Sequence, residues 1–432
     1  MYTAKRGPLG GVIRWAAMRK RLLLLIPTTT YRTEDFMEAA GRLDVDLVVA
    51  SDRPNVMAGE FPESLLTLPF DDPAAAVAEM REHAARHPSM PWCPSTTSRA
   101  VAGAAIAGAL GLRANPVAAV AATRDKLRMR ELLARAGVPA PAFTSFRADD
   151  DPGAAARRVR YPCVLKPLVL SASRGVIRAD DEAGFVAAFR RIAAILASPE
   201  VRELGEGAGH ILVEDFVPGI EVALEGLLVD GALETLALFD KPDPLDGPFF
   251  EETIYVTPSR LPADAQAVVR DCTRRAAAAL GLHDGPVHAE LRLGRDDAGR
   301  DRAFMIEIAA RSIGGLCSRT LSFGTGMSLE EIILRHALGM PIASLERDRR
   351  AAGVMMIPIP GAGVLEEVEG LDAARAVPLV EDVVIALHKG QEVVPLPEGA
   401  RYLGFIFSRA ETPAAAEAAL REAHRHLRFV IR

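Results

Sequence analysis

The chain has 432 residues, and about two to four domains are expected because a single hydrophobic core rarely grows to this size. An apolar content of 49% and a charged content of 25% are typical of a soluble globular protein. The net charge of −6 provides no strong basic field, which argues against a protein that binds nucleic acid or a membrane surface.

The N-terminal residues imitate a signal peptide without matching one. Residues 1–18 are predicted to be a disordered extension, with Met18 as the natural start. The basic residues Arg19–Arg21 precede an apolar run, Leu22–Ile26, that is too short for a signal, and Pro27–Thr30 offers no cleavage pattern. A buried parallel strand accounts for the run better, and no stretch is long enough to span a bilayer.

Cysteine and lysine are both sparse. The cysteines are Cys93, Cys163, Cys272 and Cys317. Without CxxC spacing they argue against a zinc site or a disulfide framework, and they predict a reducing, cytoplasmic location. The lysines are Lys5, Lys20, Lys126, Lys166, Lys241 and Lys389. Because arginine supplies the other basic residues, the placement of Lys126 and Lys166 is informative.

The first third of the chain predicts a parallel α/β unit followed by helices. Its opening elements are a strand at Leu22–Ile26, a helix at Thr33–Leu43 and a strand at Val45–Ala50. The alanine-rich region 70–112 is predicted to be helical. A further helix runs from Thr123 to Ala136; Thr123 or Asp125 can cap it, and Gly137 with Pro139 ends it.

Pro139–Pro141 is predicted to be a hinge into a new unit. The elements expected beyond it are strands at Cys163–Lys166, His210–Glu214 and Gly353–Pro358 and helices at 182–197, 262–280, 328–338 and 412–427. The fold class is therefore α/β, with α+β character in parts.

Common nucleotide and metal motifs are missing. The dipeptide Gly-Lys does not occur, which excludes a P-loop, and no GxGxxG follows the first strand, which argues against a Rossmann dinucleotide site. His83 and His87 have helical spacing but lack the glutamate of HExxH, so they indicate a surface helix.

A phosphate site is predicted from two lysines and a loop of small residues. Lys126 lies at a predicted helix start, and Lys166 ends an apolar strand. The small-residue loop Ser171–Gly175 follows, and its small residues allow the main chain to approach a phosphate, with Arg174 as a further donor. The alternative is an ordinary flexible hairpin turn.

The segment after residue 210 suits a nucleoside. An extended stretch from Glu214 to Val217 can offer main-chain groups to an adenine edge. Glu221, after Pro218-Gly219, can accept hydrogen bonds from ribose hydroxyls. The alternative is a polar strand edge.

A hairpin near residue 300 is predicted to place Glu290 opposite Glu307. The turn is expected at Ala298-Gly299. Alternation then assigns one face to the core: Val287, Ala289, Leu291, Leu293, Phe304, Ile306 and Ile308. The other face carries His288, Glu290, Arg292, Glu307 and Arg311. Opposed carboxylates repel each other, and Mg²⁺ between them removes this penalty. The alternative is a solvated face whose acids pair with the two arginines.

Taken in order, these residues resemble the ATP-grasp superfamily over roughly residues 20–430. In that family two lysines, a small-residue loop, an adenine segment, a ribose glutamate and two metal carboxylates follow one another. The matching positions are Lys126, Lys166, Ser171, Ala172, Ser173, Gly175, Glu214, Val217, Glu221, Glu290, Glu307 and Arg311. The ordered set is specific although no single motif is.

The resemblance implies an ATP-grasp fold with several units. They are a disordered extension (1–18), an N-terminal parallel α/β domain (19–115), a helix and hinge (116–142), a lid subdomain (143–213), a core subdomain with the metal site (214–342) and a small C-terminal α/β appendix (343–432). The resemblance implies that the lid would close over the site and keep water from a reactive intermediate.

Within the superfamily the chain looks most like carboxylate–amine ligases that couple amino acids or small acids. Two positions depart from these relatives. Ala309 replaces the asparagine of a Glu-x-Asn-x-Arg metal motif and cannot bind a cation. Tyr255 stands where some amino-acid ligases carry a histidine, and His288 is only a weak substitute for it.

The resemblance implies ATP, Mg²⁺ or Mn²⁺, an acyl-phosphate intermediate, and an acid and an amine as substrates. Lys166, Arg174 and Arg311 would be catalytic, with substrate contacts at Tyr255, Ser312, Gly314 and Gly315. A homodimer is expected, and nucleic acid and membrane partners are not. The alternatives are a biotin carboxylase-like component and a non-catalytic ATP-binding regulatory protein.

Overall fold

The structure is a computed structural model, and it describes residues 21–26, 32–54, 64–86, 100–204, 206–295 and 299–432. The predicted extension 1–18 with its start at Met18, the residues His87 and Cys93, and the turn residue Ala298 lie outside this range. None of the helices in these described ranges could span a bilayer.

The N-terminal unit is the predicted parallel α/β arrangement. Its elements are β1 (Arg21–Leu25), α1 (Thr33–Arg42), β2 (Asp46–Ser51), β3 (Leu65–Thr67), α2 (Pro73–Arg86) and α3 (Ala100–Ala109). The three strands form a parallel sheet in the order β1-β2-β3. The leucines of β1 are buried on both faces, which confirms the prediction of a buried parallel strand for this apolar run.

Two helices, α4 (Val117–Ala122) and α5 (Lys126–Arg135), lead to the next unit. Asp125, the second of the two predicted caps, accepts a hydrogen bond from the main-chain N–H of Arg128 at 3.0 Å and begins α5. Gly137 follows the helix with a φ of +64°, where glycine is favoured. Lys126 therefore occupies the first turn of a capped helix.

Residues 143–215 form a separate unit with its own four-stranded sheet. The elements are β4 (Phe143–Arg147), α6 (Pro152–Ala156), β5 (Cys163–Pro167), β6 (Ile177–Ala179), α7 (Glu182–Leu196), α8 (Pro199–Arg202) and β7 (His210–Asp215). The antiparallel order is β4-β7-β5-β6, and α7 packs its apolar face against the sheet. We call this unit the lid.

The core unit is built on long antiparallel strands. Its elements are β8 (Ile220–Val229), β9 (Ala232–Lys241), β10 (Ile254–Thr257), α9 (Ala263–Leu280), β11 (Gly285–Arg295), β12 (Asp301–Ala309), β13 (Ser322–Phe323), β14 (Met327–Ser328) and α10 (Leu329–Ala337). The hydrophobic side of the β11–β12 hairpin packs with α5 and α9 in one buried cluster.

The C-terminal region extends this core sheet. Its elements are β15 (Ala351–Ile357), β16 (Gly363–Glu369), α11 (Leu371–Arg375), β17 (Val380–Ile385), β18 (Glu392–Val393), β19 (Gly404–Ala410), α12 (Pro413–His426) and β20 (Arg428–Ile431). The sheet order is β12-β11-β8-β9-β10-β15-β19-β17, so three of these strands continue the core rather than form a separate appendix. A smaller sheet, β18-β16-β20, flanks it.

Gly219 makes a close main-chain approach at the entrance to β8. Its φ is +120°, and a Cβ atom there would lie 2.2 Å from the carbonyl oxygen of Leu293. We expect Gly219→Ala to lower the free energy of unfolding by at least about 2 kcal/mol, because backbone strain and a main-chain clash add together. Urea unfolding followed by circular dichroism measures this.

Gly231 is the matched control for that substitution. It also has a positive φ, +84°, but nothing lies within 4 Å of an added Cβ atom. Gly231→Ala should cost only the strain, about 1 kcal/mol. Equal losses in the two variants would contradict the close approach at Gly219.

Candidate functional site

A cavity of about 380 Å³ lies between the lid and the core sheet. It brings together most of the predicted site residues: Lys126, Lys166, Ser171, Ala172, Ser173, Glu214, Val217, Glu221, Tyr255, Glu290, Glu307, Arg311, Gly314 and Gly315. Arg174, Gly175 and Ser312 are not part of its lining. Residues far apart in sequence thus converge on one space.

The two predicted phosphate lysines enter the cavity from different elements. Lys126 donates from Nζ to the carbonyl oxygen of Leu170 at 2.7 Å, which ties α5 to the small-residue loop. Burial lowers the pKa of Lys126, and the charge of Glu307 acts in the opposite direction. Lys166, on β5, forms an ion pair with Glu214 at 2.7 Å.

The small-residue loop is ordered against its neighbours. Ala172 and Ser173 have φ values of +53° and +54°, a left-handed turn that small side chains tolerate best. Gly175 packs on Pro167, where a Cβ atom would lie 2.6 Å from its Cγ atom. The turn directs Arg174 to Glu200, to which it donates at 3.0 Å, so the structure does not bring this predicted catalytic residue into the cavity.

The predicted adenine segment, Glu214–Val217, begins at the end of β7 and continues beyond it. The main-chain N–H groups of Asp215 and Phe216 donate to the carbonyls of Ala142 and Pro162, at 2.9 and 3.0 Å. Val217, which lines the cavity, is therefore the segment's candidate donor to a purine edge.

The carboxylate of Glu214 is buried, whereas the prediction concerned the main chain of this segment. One oxygen accepts from Arg130 Nε at 2.6 Å and the other pairs with Lys166. Burial opposes ionisation, but the charges of Arg130 and Lys166 outweigh it and lower the pKa of Glu214 to about 2.

Glu221 shares its environment with a lysine that sequence reasoning did not select. Lys241 donates from Nζ to Glu221 at 2.8 Å, contacts Glu252 more closely still, and lies 3.6 Å from Glu290. Burial lowers the pKa of Lys241, but the three carboxylates raise it well above its usual value. The sequence contains only six lysines, and this scarcity was the signal that could have marked Lys241 as a site residue.

The hairpin register confirms that Glu290 lies opposite Glu307. It then steps to Leu291 opposite Met305, so Ile306 is the extra residue of a β-bulge. The bulge makes part of the predicted face pattern wrong: Ala303 and Met305 are in the core, whereas Phe304 and Ile306 are only half-buried. The alternative of a solvated face is also wrong, because His288 and Arg292 on that side are buried.

His288 supports Glu290. Its Nδ1 atom lies 2.9 Å from Glu225, and its Nε2 atom lies 3.3 Å from Glu290. Burial disfavours the imidazolium, but the hydrogen bonds to both glutamates outweigh it and raise the pKa of His288 to about 9.

The acidic groups fit a magnesium ion. Glu290 and Glu307 face each other across one ladder and line the cavity, and carboxylate oxygens are the ligands that Mg²⁺ accepts. Burial opposes ionisation of Glu290, yet Lys241, His288 and Arg311 hold its pKa well below the usual range. Oxygens of Glu221, Glu252 and Glu290 also lie within 4.8 Å of one another, but Lys241 already counters their charge.

Three of the predicted substrate residues, Tyr255, Gly314 and Gly315, line the cavity, whereas Ser312 does not. Arg311 donates to the carbonyl oxygen of Ser312 at 2.9 Å. Ser312 is buried, and its hydroxyl accepts from Arg32 of the N-terminal unit at 2.6 Å. Gly314, Gly315 and Tyr255 line the cavity directly, together with Cys317, Met356 and Tyr402. Sequence reasoning missed Arg32, Met356 and Tyr402, which come from distant segments.

The lid rests on the C-terminal region. Arg191 on α7 makes a two-point ion pair with Glu398, at 2.6 and 2.9 Å. The main-chain N–H of Gly175 donates to the carbonyl oxygen of Pro397 at 2.8 Å. Residues more than 200 positions apart in the chain therefore hold the lid over the cavity.

Two family models match the chain. An ATP-grasp domain matches residues 159–320, and the L-amino acid ligase C-terminal domain 2 matches residues 355–432. The crystal structure of an L-amino acid ligase from Bacillus licheniformis superposes with a TM-score of 0.80 and 28% identity, covering 96% of this chain and 99% of that one. The carboxyaminoimidazole ribonucleotide synthase from Aspergillus clavatus, at 16% identity and a TM-score of 0.68, shares the fold.

Curated relatives match part of the chain. The alanine–anticapsin ligase of Bacillus subtilis is 29% identical over 237 residues, covering 52% of this chain and 49% of the relative. A D-alanine–D-alanine ligase of Nitratidesulfovibrio vulgaris is 31% identical over 196 residues, covering 43% and 56%. The chain thus spans about half the length of the curated relatives it matches.

Proposed function

The chain belongs to the ATP-grasp superfamily and ends in an L-amino acid ligase C-terminal domain, and from this premise we propose that it is an ATP-dependent carboxylate–amine ligase. The reaction forms an amide, peptide-like bond and releases ADP and phosphate. The observation that supports this most strongly is the cavity itself, which sets Lys126 and Lys166 beside the opposed Glu290 and Glu307.

The proposed chemistry has two steps. The carboxylate of a small acid or amino acid attacks the γ-phosphate of ATP to give an acyl phosphate and ADP. An amine, or the amino group of a second amino acid, then attacks the acyl carbon and phosphate leaves. Phosphoryl transfer depends mainly on positioning and charge neutralisation, which lysines and an arginine can supply without covalent chemistry.

Each group has a proposed role. Lys126 and Lys166 neutralise the phosphates, Val217 and Glu221 bind the nucleoside, and Arg311 orients the substrate carboxylate through its planar fork of donors. Mg²⁺ or Mn²⁺, held by Glu290 and Glu307, would supply further neutralisation of phosphate charge. The lid excludes water from the acyl phosphate. A cytoplasmic location and a homodimer stay predictions.

A screen of amino-acid and amine pairs tests the proposal. We expect at least one pair to release ADP and phosphate in equal amounts and to yield one amide per ADP, because both products come from a single acyl phosphate. Phosphate release and mass spectrometry of the products measure this, with each substrate omitted in turn.

Two outcomes of the screen would contradict the ligase. ADP formation that depends on bicarbonate and needs no amine would indicate a carboxylase component. Tight ATP binding without ADP release in any combination would indicate a non-catalytic nucleotide-binding protein.

A further inference from the structure

Arg130 connects three segments of the site although it does not line the cavity. It lies on α5, one helical turn after Lys126, and only 2% of its side chain is exposed. Its guanidinium reaches the lid through Glu214 on β7 and the core hairpin through Ile306. Arginine suits this position because it holds several donors in one rigid plane.

On the lid side, Arg130 is linked through Glu214 to Lys166, one of the two lysines predicted to bind phosphate. Arg130 Nε donates to one oxygen of Glu214 at 2.6 Å, and the other oxygen pairs with Lys166 Nζ at 2.7 Å. Glu214 is itself 2% exposed, so its charge is balanced by these two cations rather than by water. Without Arg130, Lys166 alone would have to balance a buried carboxylate.

On the core side, Arg130 contacts β12, the strand that carries Glu307. A terminal nitrogen of Arg130 donates to the main-chain carbonyl of Ile306 at 2.5 Å. Ile306 is the extra residue of the bulge in β12, and the next residue is Glu307. A bulge re-aims the side chains beside it, so fixing this carbonyl fixes the direction of Glu307.

We propose that Arg130 is a positioning residue that sets the distance between Lys166 in the lid and Glu307 in the core. This distance determines whether both side chains can act on the nucleotide phosphates at the same time. The inference depends on the proposed function, since Lys166 and Glu307 are there the phosphate and metal groups. A merely structural role, in which the buried ion pair only fastens α5, predicts lost stability with unchanged nucleotide kinetics.

The test compares Arg130→Lys and Arg130→Met with the wild type. Lysine keeps a buried positive charge, but it lacks the planar set of donors by which arginine contacts Glu214 and Ile306 together. We expect both variants to lower kcat/KM for ATP at least tenfold and to raise the Mg²⁺ concentration needed for half-maximal binding of a fluorescent ATP analogue. The KM values for the acid and the amine should stay within about twofold. Arg128→Met is the control, since Arg128 lies on the same helix and pairs with exposed Glu131.

A second comparison keeps the proposal testable if Arg130→Met does not fold. If Arg130 acts through Lys166, the double variant Arg130→Lys/Lys166→Met should lose at least threefold less activity than the product of the single losses. Multiplicative losses, or Arg130→Lys with nucleotide kinetics within twofold of the wild type, would overturn the positioning role. Wild-type protein that does not bind the ATP analogue would instead overturn the proposed function.

Discussion

Glu307→Gln should abolish ATP turnover, with kcat falling by at least about 10²–10³-fold while the fold is kept. Glutamine has the same shape but no charge, so Glu290 would face a neutral amide across the ladder, and a magnesium ion would lose one of its two anionic ligands. ADP release with the best substrate pair from the amino-acid screen measures the loss. Titration of Mg²⁺ against binding of a fluorescent ATP analogue separates metal affinity from chemistry.

Asp301→Asn is the control for that variant. Asp301 begins the same strand, is exposed, and pairs with Arg295 at a long distance of 3.9 Å, so its change should leave turnover within about twofold. Undiminished ADP release by Glu307→Gln would remove Glu307 from the metal site.

Lys166→Met should raise the barrier to phosphoryl transfer by about 2–4 kcal/mol, which corresponds to a loss of about 30- to 1,000-fold in kcat. The methionine side chain fills similar space but provides no charge to the phosphates. The variant should also be less stable, because Glu214 would keep only Arg130 as a partner for its buried charge. Single-turnover ADP formation and urea unfolding measure the two effects independently.

Lys389→Met makes the matched comparison, since Lys389 is exposed in the C-terminal region. It should change neither quantity beyond error. A loss in Lys166→Met no greater than that in Lys389→Met would show that Lys166 does not act on the nucleotide.

Local patterns were enough to predict much of the fold and part of the site. Alternation of side chains predicted Glu290 opposite Glu307, and the register confirms it. A helix from about Thr123 was predicted with Thr123 or Asp125 as its cap, and Asp125 is the residue that caps α5. Such features depend on neighbours in sequence, where spacing and capping chemistry decide the outcome.

Features that depend on distant residues could not be predicted in this way. The bulge at Ile306 changes the face of Phe304, and the carbonyl of Ile306 accepts a hydrogen bond from Arg130, which lies in another unit. Lys241 became a site residue only when Glu221 on β8, Glu290 on β11 and Glu252 from the segment before β10 came together around it. Arg174 suits a phosphate by type, but the left-handed turn before it directs the side chain to Glu200.

Because β15 and β19 continue the core sheet, the C-terminal region cannot be regarded as a detachable module. β15 pairs with β10, which carries Tyr255, and the same region contributes Met356 and Tyr402 to the cavity lining, at the end where the substrate residues are predicted. Under the proposed function, exchange of this region between relatives would change part of the substrate wall and leave Lys126, Lys166, Glu290 and Glu307 in place. Substrate range would then change while the proposed nucleotide site stayed the same, provided that the pairing of β15 with β10 was kept.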